Sequence, residues 1–577
     1  MKILLLHPAD SPRRGPWNQQ HWDLVVDLGH SSEATAAEWG QLCGCPVLRL
    51  HAFRRPVADP REAGSLLRTG CGQLVDSFGL DWWELTSLFV HAELETALAL
   101  RRLAGADFQG DLHATRLDWP VSGFAALRRA HVHSLSGWSQ GSLAGRVTRY
   151  ARAFSRLTGS QALDVAWDKY DADYRWRSRL RSPAQKSTGP VVLVPSAYTN
   201  VSRGAAAYAE LLPEMNFLLV ATRRSGLVFE RGPNVGVSEL AAYAAPSQPA
   251  KEAVELLERW SALQRRLASI PELELLSRMG ILDQLPGWIR AGLSDRNAWS
   301  TVLEREPVTA VLCGDDSNWY TRLPVLLARK KNLPTVDFHH GAMDGRFLLK
   351  TLPSDMYLAK TEMEKDYLVR TCGLPADRIV LGAMETNHQP QTARADGPRP
   401  NIVYFSEPYE SVGGRPDEIY RELLPELARL ARENGRTVVL KLHPFENVQE
   451  RSSFVDAALG RKNGRKVEIV SGPLSAELLA SAWFGITVES STVLDCAKLG
   501  VPCFHCQWLV GTPWGYGEQY SRFGVGRELR SPADIAQIPR MLMQETRIGF
   551  QASTGGSRTA AAVLREIFLG RTAPATR

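Results

Sequence analysis

Short apolar runs, each closing on a polar cluster, recur along the chain. KILLL and WDLVVDLG come first; VVLVPS, FLLVAT, TAVLCGDD, PTVDFHHG, MYLAK and RIVLGA follow; NIVYFSEPY, TVVLKLHPFE, KVEIVSG, AWFGITVESS and VPCFHCQ form a last group. Runs of this length, rich in Val, Ile and Leu, predict strands covered on both faces. Segments of helical period separate them. KEAVELLERWSALQRRLASI, for instance, places Leu256, Trp260, Leu263 and Leu267 on one face and predicts a packed amphipathic helix. Strands alternating with helices predict an α/β protein built on parallel sheets.

The alternation is interrupted in two places. After the first two runs, helical patterning such as HAELETALALRRLAGA leads to a basic, aromatic stretch, DKYDADYRWRSRLRSPAQKSTG, read as a connector. NHQPQTARADGPRP, residues 387–400, is polar, proline-bearing and aperiodic, and predicts a linker. The expected organisation is an N-terminal α/β segment with a helical insertion over 1–190, the remainder of the same doubly wound domain over 191–386, the linker 387–400, and a second doubly wound domain over 401–570.

Composition adds bounds. The chain has 577 residues, 44% hydrophobic and 23% charged, as expected of several ordinary globular cores. A net charge of +6 on 68 basic and 62 acidic residues is a mild excess, and no nucleic-acid partner is expected from it. No apolar run approaches the ~20 residues of a membrane helix, and the start is too short in apolar residues for a signal peptide. The expected location is the cytoplasm, and the basic 175–186 stretch leaves room for peripheral contact with the inner membrane. Eight cysteines fit free thiols in a reducing compartment. Cys43-x-Cys45 and Cys503-x-x-Cys506 would have to converge to bind zinc, and small buried thiols are the simpler reading.

Candidate chemistry follows from position. In an open parallel sheet, ligands bind beyond the carboxyl ends of the strands, so polar residues directly after an apolar run are the ones to weigh. They include Ser406 and Glu407 after NIVYF, Lys441, His443 and Pro444 at the end of VVLKL, and Glu489, Ser490, Ser491 and Thr492 after FGITV. Hydroxyls at a strand-to-helix turn suit a phosphate, or simply cap the helix. A histidine at a strand end can donate a hydrogen bond to phosphate or, as imidazolium, offset charge on a departing one. Asp315 and Asp316 close another strand and can serve as general base or nucleophile towards an acceptor hydroxyl. His339, His340, Thr199, Asn200 and Ser202 occupy equivalent positions on what is expected to be the acceptor side. No His-x-x-x-His spacing is present, so no metal is expected. Walker-type and GxGxxG loops are absent as well.

Together, His443-Pro444 after one strand and Ser490-Ser491-Thr492 at a later strand-to-helix turn resemble the bacterial glycosyltransferases of the GT-B fold that carry HP and SS motifs. That group includes sialyltransferases, polysialyltransferases and capsule-type Kdo transferases. The resemblance covers VVLKLHPFE to ESSTVLDCAKLGVPCF and does not extend to residues 1–190. It implies two Rossmann-like domains facing a cleft, a nucleotide-sugar donor, most often CMP-linked, and a surface glycan or glycolipid acceptor. It further implies no cofactor, His443 on the donor phosphate, Ser490, Ser491 and Thr492 holding it, and Asp315 or Asp316 acting on the acceptor. Ser317 departs from the Gly common at that place, which leaves inverting and retaining outcomes both open. The alternatives are a CDP-glycerol-type polyol-phosphate transferase, a sugar-nucleotide epimerase, or a non-catalytic nucleotide-sugar-binding scaffold.

Overall fold

The computed structural model describes residues 1–569 except 13–14, 18–19, 30, 56–57, 136–188, 228, 245–249, 317, 340–352, 383–398, 410–414, 444–445, 465, 510–515 and 545–559. The connector, the 387–400 linker up to residue 398, Ser317, His340 and Pro444 therefore lie outside the described residues.

Three parallel sheets carry the fold. The first contains β1 (Lys2–Leu6), β2 (Leu24–Asp27), β3 (Val47–Arg49), β4 (Asp111–Ala114) and β5 (Val132–Ser134), in the order β3-β2-β1-β4-β5. The second contains β6 (Val191–Ser196), β7 (Asn216–Ala221), β8 (Val235–Glu239), β9 (Val308–Cys313), β10 (Thr335–Phe338), β11 (Met356–Ala359) and β12 (Ile379–Leu381), in the order β12-β11-β10-β9-β6-β7-β8. The third contains β13 (Asn401–Phe405), β14 (Thr437–Lys441), β15 (Glu468–Val470), β16 (Ala482–Thr487), β17 (Cys503–Cys506) and β18 (Arg527–Leu529), in the order β15-β14-β13-β16-β17-β18.

Each sheet starts at its centre, winds outward through two strands, then returns to wind the other way. Numbered within itself, each thus begins 3-2-1-4-5, the doubly wound Rossmann order, with its crevice where the first and fourth strands lie side by side. The α/β reading with Rossmann-like parallel sheets stands. One expectation needs correcting: residues 2–134 do not extend the sheet that begins at β6, because among the described residues β1–β5 pair only with one another.

The described chain forms two compact units, neither continuous in sequence. One comprises Met1–Asp59, Thr96–Leu135 and Thr386–Thr554; the other comprises Pro60–Glu95, Ser136–Glu385 and Gly555–Arg577. The first unit holds the first and third sheets, joined through two helices. Glu33–Cys43 is capped by the Ser32 hydroxyl, which accepts from the Thr35 amide. Pro416–Glu433 begins on a proline, where the missing N–H costs nothing. Arg421 Nη1 reaches Glu38 at 3.1 Å, and Trp508 Nε1 donates to Glu422 at 3.0 Å. The Pro416–Glu433 helix buries Ile419, Tyr420, Leu423, Leu424, Leu427 and Leu430 with Tyr404, Leu440, Phe484 and Phe504 of the third sheet. Each such side chain contributes roughly 1.5–3 kcal/mol of burial.

In the second unit, the returning helix Ala560–Leu569 fills the core of the second sheet. Ala560, Val563 and Leu564 pack with Val192, Leu219, Leu312 and Leu358. The 60–95 excursion also belongs here. Its Asp76 carboxylate is buried and accepts from the Leu80 amide, the Trp82 indole and Arg296, which also pairs with Glu252 at 2.8 Å.

Candidate functional site

The crevice of the third sheet lies between β13 and β16, and most of the predicted donor-side residues meet around it. The Glu407 carboxylate, just past β13, accepts from the Thr487 hydroxyl at 2.7 Å. It also accepts from the amides of Val488, Glu489 and Ser490 at 3.1, 2.9 and 3.1 Å. Burial pushes its carboxyl up, and these donors pull it back. The amides of the β16 turn, predicted to receive a phosphate, are thus already engaged by a carboxylate of the chain. Glu407 is correspondingly a brace of that turn rather than a direct phosphate ligand. Ser491 takes the N-cap position of the short helix Thr492–Lys498 without a side-chain cap, while Ser490 Oγ accepts from the Thr492 amide at 3.3 Å. Thr492 Oγ1 is buried with no hydrogen-bond partner among the described residues.

Gly485 makes the close approach of β16 possible, since a Cβ there would stand 2.7 Å from the Phe405 ring and 3.0 Å from Cys496 Sγ. No side chain fits.

On the other flank of β13, Glu446 folds back onto the end of β14. It accepts from the His443 amide at 2.7 Å, from Ser406 Oγ at 2.7 Å and from Arg451 Nε at 2.6 Å. Ser406 also shares a 2.7 Å bond with the Tyr420 hydroxyl. Lys441 is buried, its Nζ donating to the carbonyls of Leu442 and Gly472 at 2.7 and 2.6 Å. Ser406 and Lys441 are therefore committed to holding strand ends, which corrects their reading as ligand contacts. His443 remains at the mouth of β14, half-buried. Burial, helped by the nearby Lys441, pushes its imidazole down to about 4. It is neutral at physiological pH, so the hydrogen-bond-donor role fits it and the imidazolium role does not.

Sequence reasoning missed Glu446, Arg451 and Tyr420. The signal was partly there, a glutamate three places after a strand-end histidine, but nothing in a linear pattern says that its carboxylate turns inward.

The second sheet's crevice lies between β6 and β9. Gly314 follows β9, and a Cβ there would meet the Phe338 ring at 2.6 Å and Val201 Cγ1 at 2.9 Å. Only glycine lets the helix Thr199–Glu210 seat this closely. Asp315 and Asp316 follow, both buried, with Asn318 Nδ2 donating to Asp315 Oδ2 at 2.9 Å. Tyr198 and Tyr320 share a hydroxyl bond of 2.9 Å, and the Arg223 guanidinium lies over both rings at 5.2 and 5.1 Å. Thr199 donates to the Ser225 carbonyl at 2.9 Å. Ser202 is fully buried, bonded to Ser196 Oγ at 2.7 Å and the Gly226 carbonyl at 2.6 Å, so it clamps β6 and is closed to an acceptor. Asn200 lies in the first turn of the same helix, and His339 is buried just past the end of β10. These residues follow strands of one sheet.

The paired cysteines are free thiols, Cys43, Cys503 and Cys506 being buried. Among the described residues, no group of three or more His, Cys, Asp or Glu side chains is placed to hold a metal ion, and no helix is long and apolar enough to cross a membrane.

Known proteins offer little beyond this. No family model matches the sequence, and no curated protein matches it. Solved structures with a similar chain path include a putative UDP-N-acetylglucosamine 2-epimerase from Listeria monocytogenes, with a TM-score of 0.42 and 12% identity over 67% of this chain and 98% of that one. UDP-GlcNAc 2-epimerase from Methanocaldococcus jannaschii gives 0.42 and 11% over 66% and 100%. The calicheamicin glycosyltransferase CalG4 gives 0.39 and 15% over 67% and 99%. At such scores the likeness carries no argument about activity, and the assignment of doubly wound α/β sheets rests on the strand orders themselves.

Proposed function

We propose that the chain is a glycosyltransferase that uses a nucleotide-sugar. The observation that supports this reading is that His443 follows β14 and the Glu489–Thr492 turn follows β16, the two strands flanking β13, at the carboxyl end of a doubly wound sheet, the usual place for a nucleotide in such sheets. His443 meets the donor phosphate as a neutral hydrogen-bond donor, and Ser490 and Ser491 offer hydroxyls to it. Stabilising the departing phosphate is the main electrostatic task of such a transfer. Asp315 or Asp316 acts on the acceptor hydroxyl as base, or on the sugar as nucleophile. The finer reading is a CMP-linked 2-keto sugar of the Kdo or sialic-acid type, passed to a surface glycan or glycolipid.

A thermal-shift panel of CMP, CDP, UDP and GDP tests this. A nucleotide that binds only the folded protein adds about 2.7 kcal/mol at a hundredfold excess over Kd. Response to CMP alone supports the finer reading, and response to CDP favours polyol-phosphate transfer. Silence towards all four rejects the proposal. With the responding donor, His443→Ala is expected to abolish transfer while the fold persists; turnover within a few-fold of wild type would sink the phosphate role.

A further inference from the structure

Within the first unit, a cavity of about 260 Å³ opens beside the third sheet's crevice. One wall is the carboxyl edge of that sheet, with Glu407, Glu489 and Gln507; the other is the carboxyl edge of the first sheet, with Ser32, Arg49 and His51. We infer that the first sheet is part of the ligand site, and that Arg49 and His51 contact the glycosyl moiety of a bound nucleotide-sugar. The inference rests on the donor reading above and adds residues from the segment in which no resemblance was found.

Three observations support it. The volume is below the 300–1,000 Å³ typical of pockets that enclose a whole ligand, so the cavity suits one ring system and not an entire nucleotide-sugar. Its lining mixes carboxylates with the guanidiniums of Arg49, Arg415 and Arg530 and offers one indole, Trp508, beside a Tyr409 ring that is itself buried. A sugar ring presents hydroxyls around its whole rim, each both donor and acceptor, and such a mixture matches it. A base would call for stacking between aromatic faces. Finally, one polar group of the wall has bonding capacity to spare, Gln507 Oε1 being buried without a partner among the described residues, and the exposed His51 side chain stands at the same cavity.

Arg49 is oriented across this edge, its guanidinium 3.2 Å from Glu33 and 3.4 Å from the Ser31 carbonyl. Glu33 is largely solvated, so the pair holds direction more than stability. Arg49 can therefore be replaced without unfolding the edge.

The experiment compares Arg49→Gln and His51→Ala with wild type by titration calorimetry, using two matched pairs: UDP-N-acetylglucosamine with UDP, and CMP-N-acetylneuraminate with CMP. The expected result is a rise of tenfold or more in Kd for the sugar-bearing member that wild type binds, with the Kd of its free nucleotide within twofold. Unchanged affinity for both members overturns the inference and leaves the donor reading standing. Equal weakening of both overturns it too, because the cavity would then hold the nucleotide. Wild type that binds none of the four overturns the inference, and silence in the CMP, CDP, UDP and GDP panel as well overturns the donor reading. Unliganded melting curves of the two variants, matched to wild type, confirm that a loss is local, and the separate positions of the variants on one edge give two independent readings.

Discussion

The crevices of the second and third sheets share a strand order and differ in what braces them. In the third, charged groups turn inward: Glu407 onto three amides, Glu446 onto Ser406, Arg451 and the His443 amide, and Lys441 onto two carbonyls. In the second, neutral hydroxyls do the bracing through Ser196, Thr199, Ser202 and the Tyr198–Tyr320 pair. The first arrangement turns its acids onto amides and side chains of the framework, with an imidazole at the mouth of β14. The second sets two buried carboxylates, one of them accepting from Asn318, beside the hydroxyl framework. In a doubly wound sheet, then, the chemistry on offer depends on which groups the framework itself requires.

The largest effect that would break this contrast is catalytic. Asp315→Asn and Asp316→Asn, made singly, are expected to differ, one losing ~10²–10⁴-fold in turnover as a removed general base does. Equal activity of both would take the pair out of the mechanism, and a covalent sugar adduct found by mass spectrometry on either would establish retention. Next comes the brace. Glu407→Ala leaves buried amides and the Thr487 hydroxyl without their acceptor and is expected to cost ~3 kcal/mol in urea unfolding. Glu407→Gln keeps an acceptor oxygen and is expected to lose less; an Ala variant as stable as wild type would show that the turn holds itself.

The smallest effect sharpens the role of charge where the first and third sheets join. Glu418 is buried beside Arg415 at 2.6 Å, and burial raises its carboxyl to about 7 despite that partner. The folded protein therefore holds this proton where the unfolded chain has released it, and stability falls as pH rises between about 4.5 and 7. Relative to wild type, Glu418→Gln is expected to gain up to ~3 kcal/mol across that window, the equivalent of the shift. Loss of the Arg415 pair would offset its whole curve without changing the slope. A parallel pair of pH–stability curves would reject the assignment.

Much of the fold was legible in the sequence because buried parallel strands are written as unbroken apolar runs. TVVLKL, NIVYF and VVLVPS all fall on strands, and Leu256, Trp260, Leu263 and Leu267 line the buried face of the helix Ala250–Leu267. Edge strands such as β5 and β18 escaped notice, being three residues each with polar members that a sheet edge tolerates. The separation of the first sheet was not legible either. Pairing is a long-range property, and KILLL reads the same in any parallel sheet. At the site, strand-end position selected His443, Asp315 and Asp316 as well as Ser406, Lys441 and Ser202. Position alone cannot separate a group facing the crevice from one bonded to the backbone behind it, because both need a polar residue at the same place.

The way the chain is divided bears on its synthesis. The second sheet needs Ala560, Val563 and Leu564 to complete its core, and the unit that begins at Met1 extends to Thr554. Domains usually settle one after another as they leave the ribosome. Here the first sheet can bury its core within residues 3–135, whereas the second sheet must wait, part of its apolar surface uncovered, until the helix Ala560–Leu569 has been made.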